Sequence, residues 1–215
     1  MFKAYVFDLE GTLVDFQWQL DPGVKATRIK LEEMGFDKEK LSKIDSYNDL
    51  FNEPVKDALM GRFNLPAYEV RKEIGEVWDF FDLDALSRWN LKEGVKDTLR
   101  RLHLKAPIAL FTTIGWKAAK KTLEKFEIER LFDIMVTRDD VTLIKPYGDG
   151  LRLILCCLKV SAEETFYVGD SRGDILAAKE VGMKSGFLVG GEHDLPAEIK
   201  PDYVLHSIPD ILDIE

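Results

Sequence analysis

Short apolar segments of strand length recur along this chain, and segments with helical spacing separate most of them. Their β-branched and aromatic residues are typical of buried strands. We predict strands at residues 4–7, 108–112, 134–137, 165–168, 185–189 and 203–205. Apolar residues three to four positions apart predict helices at residues 91–104, 115–126, 148–160 and 174–181. This alternation indicates an α/β fold built on a doubly wound parallel sheet.

Residues 16–90, between the first two predicted strands, have helical periodicity almost throughout and contain no convincing strand. Within this segment we predict helices at residues 22–34, 38–44, 47–62 and 66–89. We therefore expect an inserted helical domain at 16–90 and a core formed by residues 1–15 and 91–215. Large aromatic side chains near the end of the insertion are expected in the core of its helical bundle, namely Trp78, Phe80, Phe81 and Trp89.

The charge of the chain limits its partners. The 215 residues carry a formal net charge of −9, which repels phosphate backbones, so nucleic acid is a poor partner. A small anionic substrate would need a bound cation. The absence of a run of about eighteen apolar residues argues against membrane insertion. The first segment reaches Asp8 after a short apolar stretch, which predicts a buried strand rather than a signal peptide and hence a cytoplasmic protein.

Two residue types receive no functional role. Cys156 and Cys157 are adjacent in an apolar run, where backbone geometry disfavours a disulfide between them, and we expect both to fill space in the core. The histidines His103, His193 and His206 have no companion residues that would form a catalytic or metal-binding pattern.

The first predicted strand ends abruptly in the segment Asp8-Leu9-Glu10-Gly11-Thr12, which contains two carboxylates, a glycine and a hydroxyl group. Open α/β sheets bind ligands at the carboxyl ends of their strands. We expect Gly11 to redirect the chain as it leaves the strand. Taken alone, the segment is equally compatible with a charged strand end at which Thr12 caps the next turn.

Three later segments place matching chemistry after other predicted strands. Thr112 and Thr113 offer hydroxyl groups, Lys145 offers an ammonium group, and Asp170 and Asp174 offer two carboxylates. In a parallel sheet these strand ends face one crevice. A lone lysine of this kind is more often a surface residue and a Gly-Asp pair is a common turn, but their joint placement indicates an active site.

In this order, the four segments resemble the motifs of the haloacid dehalogenase superfamily, and the resemblance covers nearly the whole chain. The segment that starts at Asp8 resembles the first motif, Thr112 the second, Lys145 the third, and Asp170 with Asp174 the fourth. The resemblance implies a Rossmann-like core, Mg²⁺ as cofactor and an inserted helical cap of the C1 type. It also implies hydrolysis of a small phosphorylated metabolite, with phosphoglycolate as the family-level expectation.

The resemblance assigns a role to most of these residues. Asp8 would attack phosphorus and form an aspartyl phosphate, and Glu10 would act as general acid and then as general base. Asp8, Asp170 and the backbone carbonyl of Glu10 would coordinate Mg²⁺, with Asp174 in the outer shell or reaching the ion through water. Lys145 would offset the charges of the phosphate and the carboxylate.

The resemblance implies that the remaining predicted site residues would bind phosphate. Thr112 would hydrogen-bond a phosphate oxygen, and Thr113 and Lys145 complete this set. The chain departs from the family pattern at three positions: Glu10 stands where most phosphatases of the group have aspartate, Thr113 where many relatives have asparagine, and Gly148 where many have a second proline. The acidic residue at position 10 and the intact fourth motif count against cleavage of carbon–halogen bonds.

Two other functions use the same residues. A phosphomutase would transfer the phosphoryl group within a sugar phosphate, and a noncatalytic module would bind phosphate without turnover. The substrate depends on side chains of the inserted helices, for which the candidates are Trp18, Tyr47, Arg62, Tyr68 and Arg88. The sequence does not predict an oligomeric state.

Overall fold

The computed structural model describes residues 2–44, 46–190 and 195–214. The strands are β1 (Ala4–Phe7), β2 (Ile108–Phe111), β3 (Ile134–Val136), β4 (Thr165–Gly169), β5 (Lys184–Leu188) and β6 (Tyr203–Leu205). They form one sheet in the order β3-β2-β1-β4-β5-β6, and every neighbouring pair is parallel. The chain builds outward from β1 to β3 and then returns past β1 to build from β4 to β6. The predicted doubly wound α/β fold is confirmed.

Strand β1 lies at the centre of the sheet and is buried on both faces. Tyr5 and Phe7 pack into the hydrophobic cluster on one face, whereas Val6 packs into the cluster on the other. Successive side chains of a strand point in opposite directions, so a central parallel strand needs apolar residues at every position. This requirement explains why β1 has the continuous apolar pattern from which its position was predicted.

The described helices fall into two groups. Between β1 and β2 lie α1 (Leu20–Glu33), α2 (Lys38–Leu41), α3 (Tyr47–Leu59), α4 (Ala67–Leu86) and then α5 (Val95–His103). The later helices alternate with strands and are α6 (Trp116–Lys125), α7 (Asp149–Leu158) and α8 (Arg172–Val181). None of the helices in the described part of the chain combines the length and apolar character needed to cross a bilayer.

Helices α1, α3 and α4 pack around aromatic side chains. Trp78 of α4 is fully buried, and its ring centroid lies 4.3 Å from that of Tyr47 and 5.1 Å from that of Trp18. Gly23 of α1 permits this packing, because a Cβ atom there would lie 2.5 Å from the Trp78 indole. The inserted helices therefore share an aromatic core that reaches the start of α3.

The expectation that four aromatic residues fill the bundle core was wrong for Phe80, whose side chain is 69% exposed. Residues two positions apart on a helix point about 200° apart, so Phe80 faces away from the side that buries Trp78. Phe81 is partly buried. Trp89 is buried, but it follows the end of α4 and joins the cluster on the sheet rather than the bundle.

The expectation that the two cysteines fill core space was also wrong, because Cys156 and Cys157 are both exposed free thiols. The buried side of α7 is formed by Leu151 and Ile154, with Leu158 packed beside them. Apolar residues at this spacing form one stripe along a helix. The two cysteines lie outside that stripe and point away from the core.

Candidate active site

The strand ends singled out from the sequence meet at one edge of the sheet. Phe7 of β1 pairs with Val168 of β4, so the residues that follow these strands leave the sheet side by side. A cavity of about 560 Å³ opens at this edge, and the residues lining it include Asp8, Glu10, Thr113, Lys145, Asp170 and Asp174. Residues of α1 and of the first turn of α3 line the same cavity. The core and the inserted helices therefore line one shared cavity.

Lys145 lies between two buried carboxylates. Its Nζ atom is 2.5 Å from Oδ1 of Asp8 and 2.6 Å from Oδ1 of Asp174. The hydroxyl group of Tyr167 donates a hydrogen bond to the same Asp174 oxygen at 2.6 Å. All four side chains are buried, so solvent screens these ion pairs far less than pairs on the surface. The ammonium group is held beside the Asp8 carboxylate.

Asp8, Asp170 and Asp174 form a buried acidic cluster, in which one oxygen of each residue lies within 4.8 Å of the others. Thr12 donates a hydrogen bond to Oδ1 of Asp170 at 3.2 Å, whereas Oδ2 of Asp170 is buried with no hydrogen-bond partner among the described residues. Burying a carboxylate oxygen without a hydrogen-bond partner costs free energy unless a nearby cation offsets its charge. At Gly11 (φ +79°), a Cβ atom would lie 2.1 Å from that oxygen. The cluster could thus hold a cation that prefers oxygen ligands.

Asp174 differs from the other two acids because both of its oxygens accept hydrogen bonds or ion pairs. Its Oδ2 accepts hydrogen bonds from the amide and the hydroxyl group of Ser171, at 3.0 Å and 2.5 Å. Its Oδ1 is bonded by Lys145 and Tyr167. Ser171 caps α8 in return by accepting a hydrogen bond from the Asp174 amide. Of the three acids, Asp174 is therefore the least available as a direct metal ligand.

The close packing of these groups changes their proton affinities. The pKa of Asp8 is raised to about 7, mainly by burial and also by Asp174 and Asp170, against the opposing effect of the Lys145 ammonium group. Burial and Asp174 also raise the pKa of Asp170 to about 7. Burial opposes ionisation of Asp174, but the Lys145 ammonium and the hydrogen bonds outweigh it and lower the pKa of that carboxyl group. A nearby cation would favour the ionised forms of Asp8 and Asp170.

Glu10 is buried and accepts two hydrogen bonds on one carboxylate oxygen. The indole Nε1 of Trp89 donates to Oε1 at 2.8 Å, and the backbone amide of Gln17 donates to it at 3.2 Å. Burial raises the pKa of Glu10 well above its ordinary value despite these hydrogen bonds. Burial therefore favours the protonated form of this carboxyl group, which lines the cavity. Trp89 and Gln17 belong to none of the four motifs, so the sequence pattern did not indicate that either contacts Glu10.

Of the two predicted hydroxyl ligands, Thr113 lines the cavity, whereas Thr112, which directly follows β2, is not among the lining residues. Thr112 is buried, and its Oγ1 accepts a hydrogen bond from the amide of Ile114 at 3.2 Å. A hydroxyl group that accepts one hydrogen bond still has its own proton to donate. Both threonines thus follow the strand that neighbours β1.

Asn52 of α3 holds the backbone at Lys145. Its amide nitrogen donates hydrogen bonds to the carbonyl oxygens of Ile144 and Lys145 at 3.1 Å and 3.3 Å, and its Oδ1 accepts one from the Ile144 amide at 2.9 Å. The side chain is buried, where such hydrogen bonds are hard to replace with water. An inserted helix therefore positions the lysine of the core, which the sequence pattern did not indicate.

Arg138 links the inserted helices to the loop after β2. Its side chain is 1% exposed, and Nη2 lies 2.5 Å from Oδ1 of Asp79 and 2.9 Å from Oδ2 of Asp82, both on α4. Nη1 donates a hydrogen bond to the carbonyl oxygen of Thr113 at 3.2 Å. The amide of Gly115 donates to Oδ2 of Asp82 at 2.8 Å. Helix α4 is thereby tied to the cavity-lining segment at Thr113.

The candidate specificity residues separate into two groups. Trp18 and Tyr47 line the cavity, whereas Arg62, Tyr68 and Arg88 are not among its lining residues, and Tyr68 is 68% exposed. Further cavity residues from this part of the chain were not singled out from the sequence, and they include Phe16, Asp21, Arg28 and Asn48. Helical periodicity predicts which residues of α1 face inward, but not which of those face a cavity rather than a neighbouring helix.

The histidines take no part in the cavity, as far as the structure describes them. Nδ1 of His103 lies 3.8 Å from Oδ2 of Asp133 at the end of α5, and His206 precedes the last short helical turn of the chain. Neither is among the residues that line the cavity. His193 lies outside the described residues.

The sequence and the fold of this chain resemble those of known proteins. A sequence profile for proteins described as haloacid dehalogenase-like hydrolases matches residues 5–188. Pyrophosphatase PpaX of Halalkalibacterium halodurans is 40% identical over 126 residues, which cover 57% of this chain and 58% of that protein. Phosphoglycolate phosphatase of Escherichia coli is 28% identical over 232 aligned positions, which cover 98% of this chain and 91% of that protein. The crystal structure of a predicted phosphoglycolate phosphatase from Haemophilus somnus is 25% identical, with a TM-score of 0.67 and coverage of 99% of this chain and 97% of that one.

Proposed function

The chain belongs to the haloacid dehalogenase-like hydrolases, and we propose that it is a Mg²⁺-dependent phosphatase that hydrolyses a small phosphate monoester through an aspartyl phosphate on Asp8. The observation that carries the proposal is the buried cluster of Asp8, Lys145 and Asp170 in one cavity, with Nζ of the lysine 2.5 Å from the Asp8 carboxylate. A nucleophile, a fixed cationic group and a metal-binding acid are the groups that this chemistry requires.

Asp8 is the proposed nucleophile, and Lys145 makes its approach to the substrate possible. A phosphate and a carboxylate repel each other, and an ammonium group beside both offsets that repulsion. Lys145 stays protonated, because Asp174 and Asp8 outweigh its burial and raise its pKa. The hydroxyl groups of Thr112 and Thr113 at the end of β2 are the proposed donors to phosphate oxygens, where hydrogen bonds that strengthen in the transition state accelerate the reaction.

Glu10 is the proposed proton carrier. A carboxyl group that keeps its proton near pH 7 can donate it to the leaving alkoxide, and once ionised it can accept a proton from the attacking water. Burial raises the pKa of Glu10, which favours the first of these states. The hydrogen bond from Trp89 holds the carboxyl group in one orientation, so the longer side chain of glutamate can replace the aspartate that most relatives have.

Asp8, Asp170 and the backbone carbonyl of Glu10 are the proposed ligands of Mg²⁺, with Asp174 in the outer shell. The unpaired Oδ2 atom of Asp170 and the saturated oxygens of Asp174 support this division between direct and indirect ligands. When bound there, Mg²⁺ supplies charge neutralisation at the phosphoryl oxygens and lowers the pKa of Asp8. An all-oxygen ligand set favours Mg²⁺ over zinc.

We further propose the domain division predicted from the sequence, with residues 16–90 as a cap over a core of residues 1–15 and 91–215. The cap supplies the side of the cavity that faces the acidic cluster, since α1 and the start of α3 line it. A cap of this kind excludes water from the reaction and selects the substrate. Arg138, which contacts α4, and Asn52 of α3 donate hydrogen bonds to the backbone carbonyls of Thr113 and Lys145, two of the proposed phosphate-binding residues.

The proposed substrate is a small phosphorylated metabolite of the cytoplasm. The names of the relatives, a pyrophosphatase and phosphoglycolate phosphatases, support this class. A phosphomutase would need the same groups and would require a bisphosphate to sustain turnover. A noncatalytic module would bind phosphate without releasing it from an ester.

The proposal is tested with p-nitrophenyl phosphate as a generic ester. We expect phosphate release by the wild-type protein in Mg²⁺, loss of this activity in EDTA, and background rates for Asp8→Asn. The matched control is Asp97→Asn, which changes an exposed aspartate of α5 and should keep full activity. Turnover by Asp8→Asn at the wild-type rate would exclude Asp8 as the nucleophile. Failure of the wild-type protein to release phosphate from any monoester in Mg²⁺ would refute the function.

A further inference from the structure

The cavity is larger than its proposed reaction requires. Its volume of about 560 Å³ lies within the range of about 300–1,000 Å³ that is typical of sites for drug-sized ligands. The groups that would bind a phosphoryl group and a metal come from the core: Asp8 and Asp170 directly follow β1 and β4, and Lys145 lies in the loop between β3 and α7. The remaining lining is supplied largely by the inserted helices, and this part surrounds whatever is attached to the phosphate.

This outer part of the cavity has an aromatic wall. Phe16, Trp18 and Tyr47 line it, and Leu20 and Val24 of α1 continue the apolar surface. The rings of Trp18 and Tyr47 meet edge to face with centroids 5.0 Å apart, and those of Phe16 and Trp18 do so at 6.5 Å. The wall therefore consists of aromatic rings in a fixed mutual arrangement.

Tyr47 is fixed in this wall from behind. Its hydroxyl group donates a hydrogen bond to the carbonyl oxygen of Thr113 at 3.3 Å, and its ring packs against Trp78 with centroids 4.3 Å apart. Arg138 also contacts the hydroxyl oxygen, through Nη1 at 3.5 Å. Burial raises the pKa of Tyr47, so the ring stays neutral. A rigid neutral ring loses little conformational entropy when a ligand packs against it.

The described lining of the cavity offers few cationic groups to a second anionic group on the substrate. Asp8, Glu10, Asp21, Asp170 and Asp174 all line the cavity, whereas the described lining contains only two cationic side chains, Lys145 and Arg28. Lys145 is engaged by two carboxylates, and Nη2 of Arg28 donates a hydrogen bond to the carbonyl oxygen of Ile44 at 2.5 Å. A second phosphate or a carboxylate would normally be bound by dedicated cationic groups.

From these features we infer that the substrate is a phosphate monoester whose leaving group presents a flat, uncharged ring system to the wall formed by Phe16, Trp18 and Tyr47. This inference rests on the proposed phosphatase function and narrows its substrate class. Pyrophosphate and phosphoglycolate, the substrates named for two relatives, carry a second anionic group and no ring. They are therefore expected to be poorer substrates of this chain than a ring-bearing ester.

The test compares two esters with the same leaving oxygen. Adenosine 5′-monophosphate and ribose 5-phosphate both carry the phosphoryl group on the 5′ oxygen of a ribose, and they differ in the presence of the uncharged adenine ring. In Mg²⁺ we expect kcat/KM to be about tenfold higher for the nucleotide, the factor that one well-placed stacking contact contributes. The kcat/KM values for phosphoglycolate and pyrophosphate should also be lower than that for the nucleotide. A kcat/KM for ribose 5-phosphate, phosphoglycolate or pyrophosphate that equals or exceeds that for the nucleotide would overturn the inference.

Variants connect the preference to the wall. Trp18→Leu should reduce kcat/KM for adenosine 5′-monophosphate by a larger factor than for ribose 5-phosphate, and Phe16→Leu should do the same if Trp18→Leu does not fold. The matched control is Phe80→Leu, which removes an exposed ring of α4 that does not line the cavity. The control should keep the wild-type ratio between the two esters. A wild-type ratio in both wall variants would also overturn the inference.

Binding to Asp8→Asn separates this inference from the proposed function. Titration calorimetry in Mg²⁺ should give a Kd for adenosine 5′-monophosphate about tenfold lower than that for ribose 5-phosphate, without turnover of either ligand. Hydrolysis of both esters with equal affinities would reject the ring preference and leave the phosphatase function intact. Selective binding without hydrolysis of any ester by the wild-type protein would support the ring site and reject the phosphatase function.

Discussion

The indole Nε1 of Trp89 donates a hydrogen bond to Oε1 of Glu10 at 2.8 Å, and both side chains are buried. A glutamate carboxyl group has one more rotatable bond than that of aspartate, so it needs more restraint to occupy one position. Trp89 lies just beyond α4, and Gln17, the second donor to this oxygen, lies just before α1. The two ends of the helical insertion thus hold the proposed acid in place.

We predict that Glu10→Gln separates the two halves of the reaction. Glutamine cannot supply or accept the proton, so steady-state kcat should fall about 10²-fold or more. The leaving group of p-nitrophenyl phosphate departs without protonation, so this ester should still phosphorylate Asp8. Stopped-flow measurements should therefore show a burst of p-nitrophenol close to the enzyme concentration, followed by slow turnover. Unchanged turnover without a burst would assign the proton transfers to another group.

We predict that Trp89→Phe lowers kcat about tenfold with little change in KM, because the variant keeps the aromatic ring and loses the donor that orients Glu10. A purely structural defect would instead lower the active fraction, which titration of the phosphoenzyme reports. Trp116→Phe is the matched control, since this residue is exposed on α6 and does not line the cavity. Equal kcat values for both variants and the wild type would show that the hydrogen bond does not assist Glu10.

We predict that Mg²⁺ stabilises the protein through Asp170. A ligand that binds only the folded state adds about 2.7 kcal/mol of stability at a concentration of 100 times its Kd. The Tm of the wild-type protein should therefore rise when Mg²⁺ replaces EDTA, and Asp170→Asn should lose most of this rise. Asp97→Asn should retain it, because Asp97 is an exposed residue of α5. An equal rise in Asp170→Asn would show that Mg²⁺ binds elsewhere.

We predict that stability in EDTA falls as the pH rises from about 4 to about 7. Asp8 and Asp170 have pKa values of about 7 in the folded protein, above those of unfolded aspartate, so the folded state binds more protons in this window. Asp174 has a lowered pKa and contributes stability that is lost only at more acidic pH. The Tm should be lower at pH 8 than at pH 5, with a smaller difference in Asp170→Asn. A higher Tm at pH 8 would contradict these proton affinities.

We predict that Arg138→Met lowers the free energy of unfolding by about 3 kcal/mol or more, because Asp82 would stay buried without its counter-charge. Replacing both partners, as in Arg138→Met with Asp82→Leu, should recover part of this loss. Arg152→Met on α7 is the control, since its side chain is half exposed and its removal should cost about 0.5 kcal/mol or less. Urea unfolding measures the free energy of unfolding of the single variant, the double variant and the control. A change for Arg138→Met no larger than that for the control would refute a stabilising role for the network.

Much of the core could be predicted because the sequence patterns that indicate its strands involve only neighbouring residues. Ala4–Phe7 forms β1 as predicted, since a central parallel strand must be apolar at every position. Asp8 and Asp170 could be placed at the same edge of the sheet without coordinates, because parallel strands end on one side. The predicted helix at 66–89 instead ends at Leu86, which frees Trp89 to turn toward Glu10.

The sequence alone determined the α/β class, the helical insertion and the segments that carry Asp8, Lys145 and Asp170, because strand and helix periodicity and strand polarity are properties of neighbouring residues. Only the tertiary structure decided which distant residues complete the site. Trp89 meets Glu10, Asn52 holds Lys145, and Arg138 joins α4 to the loop after β2, each across a long stretch of chain. These contacts depend on how the inserted helices rest on the core, and no local pattern encodes that placement.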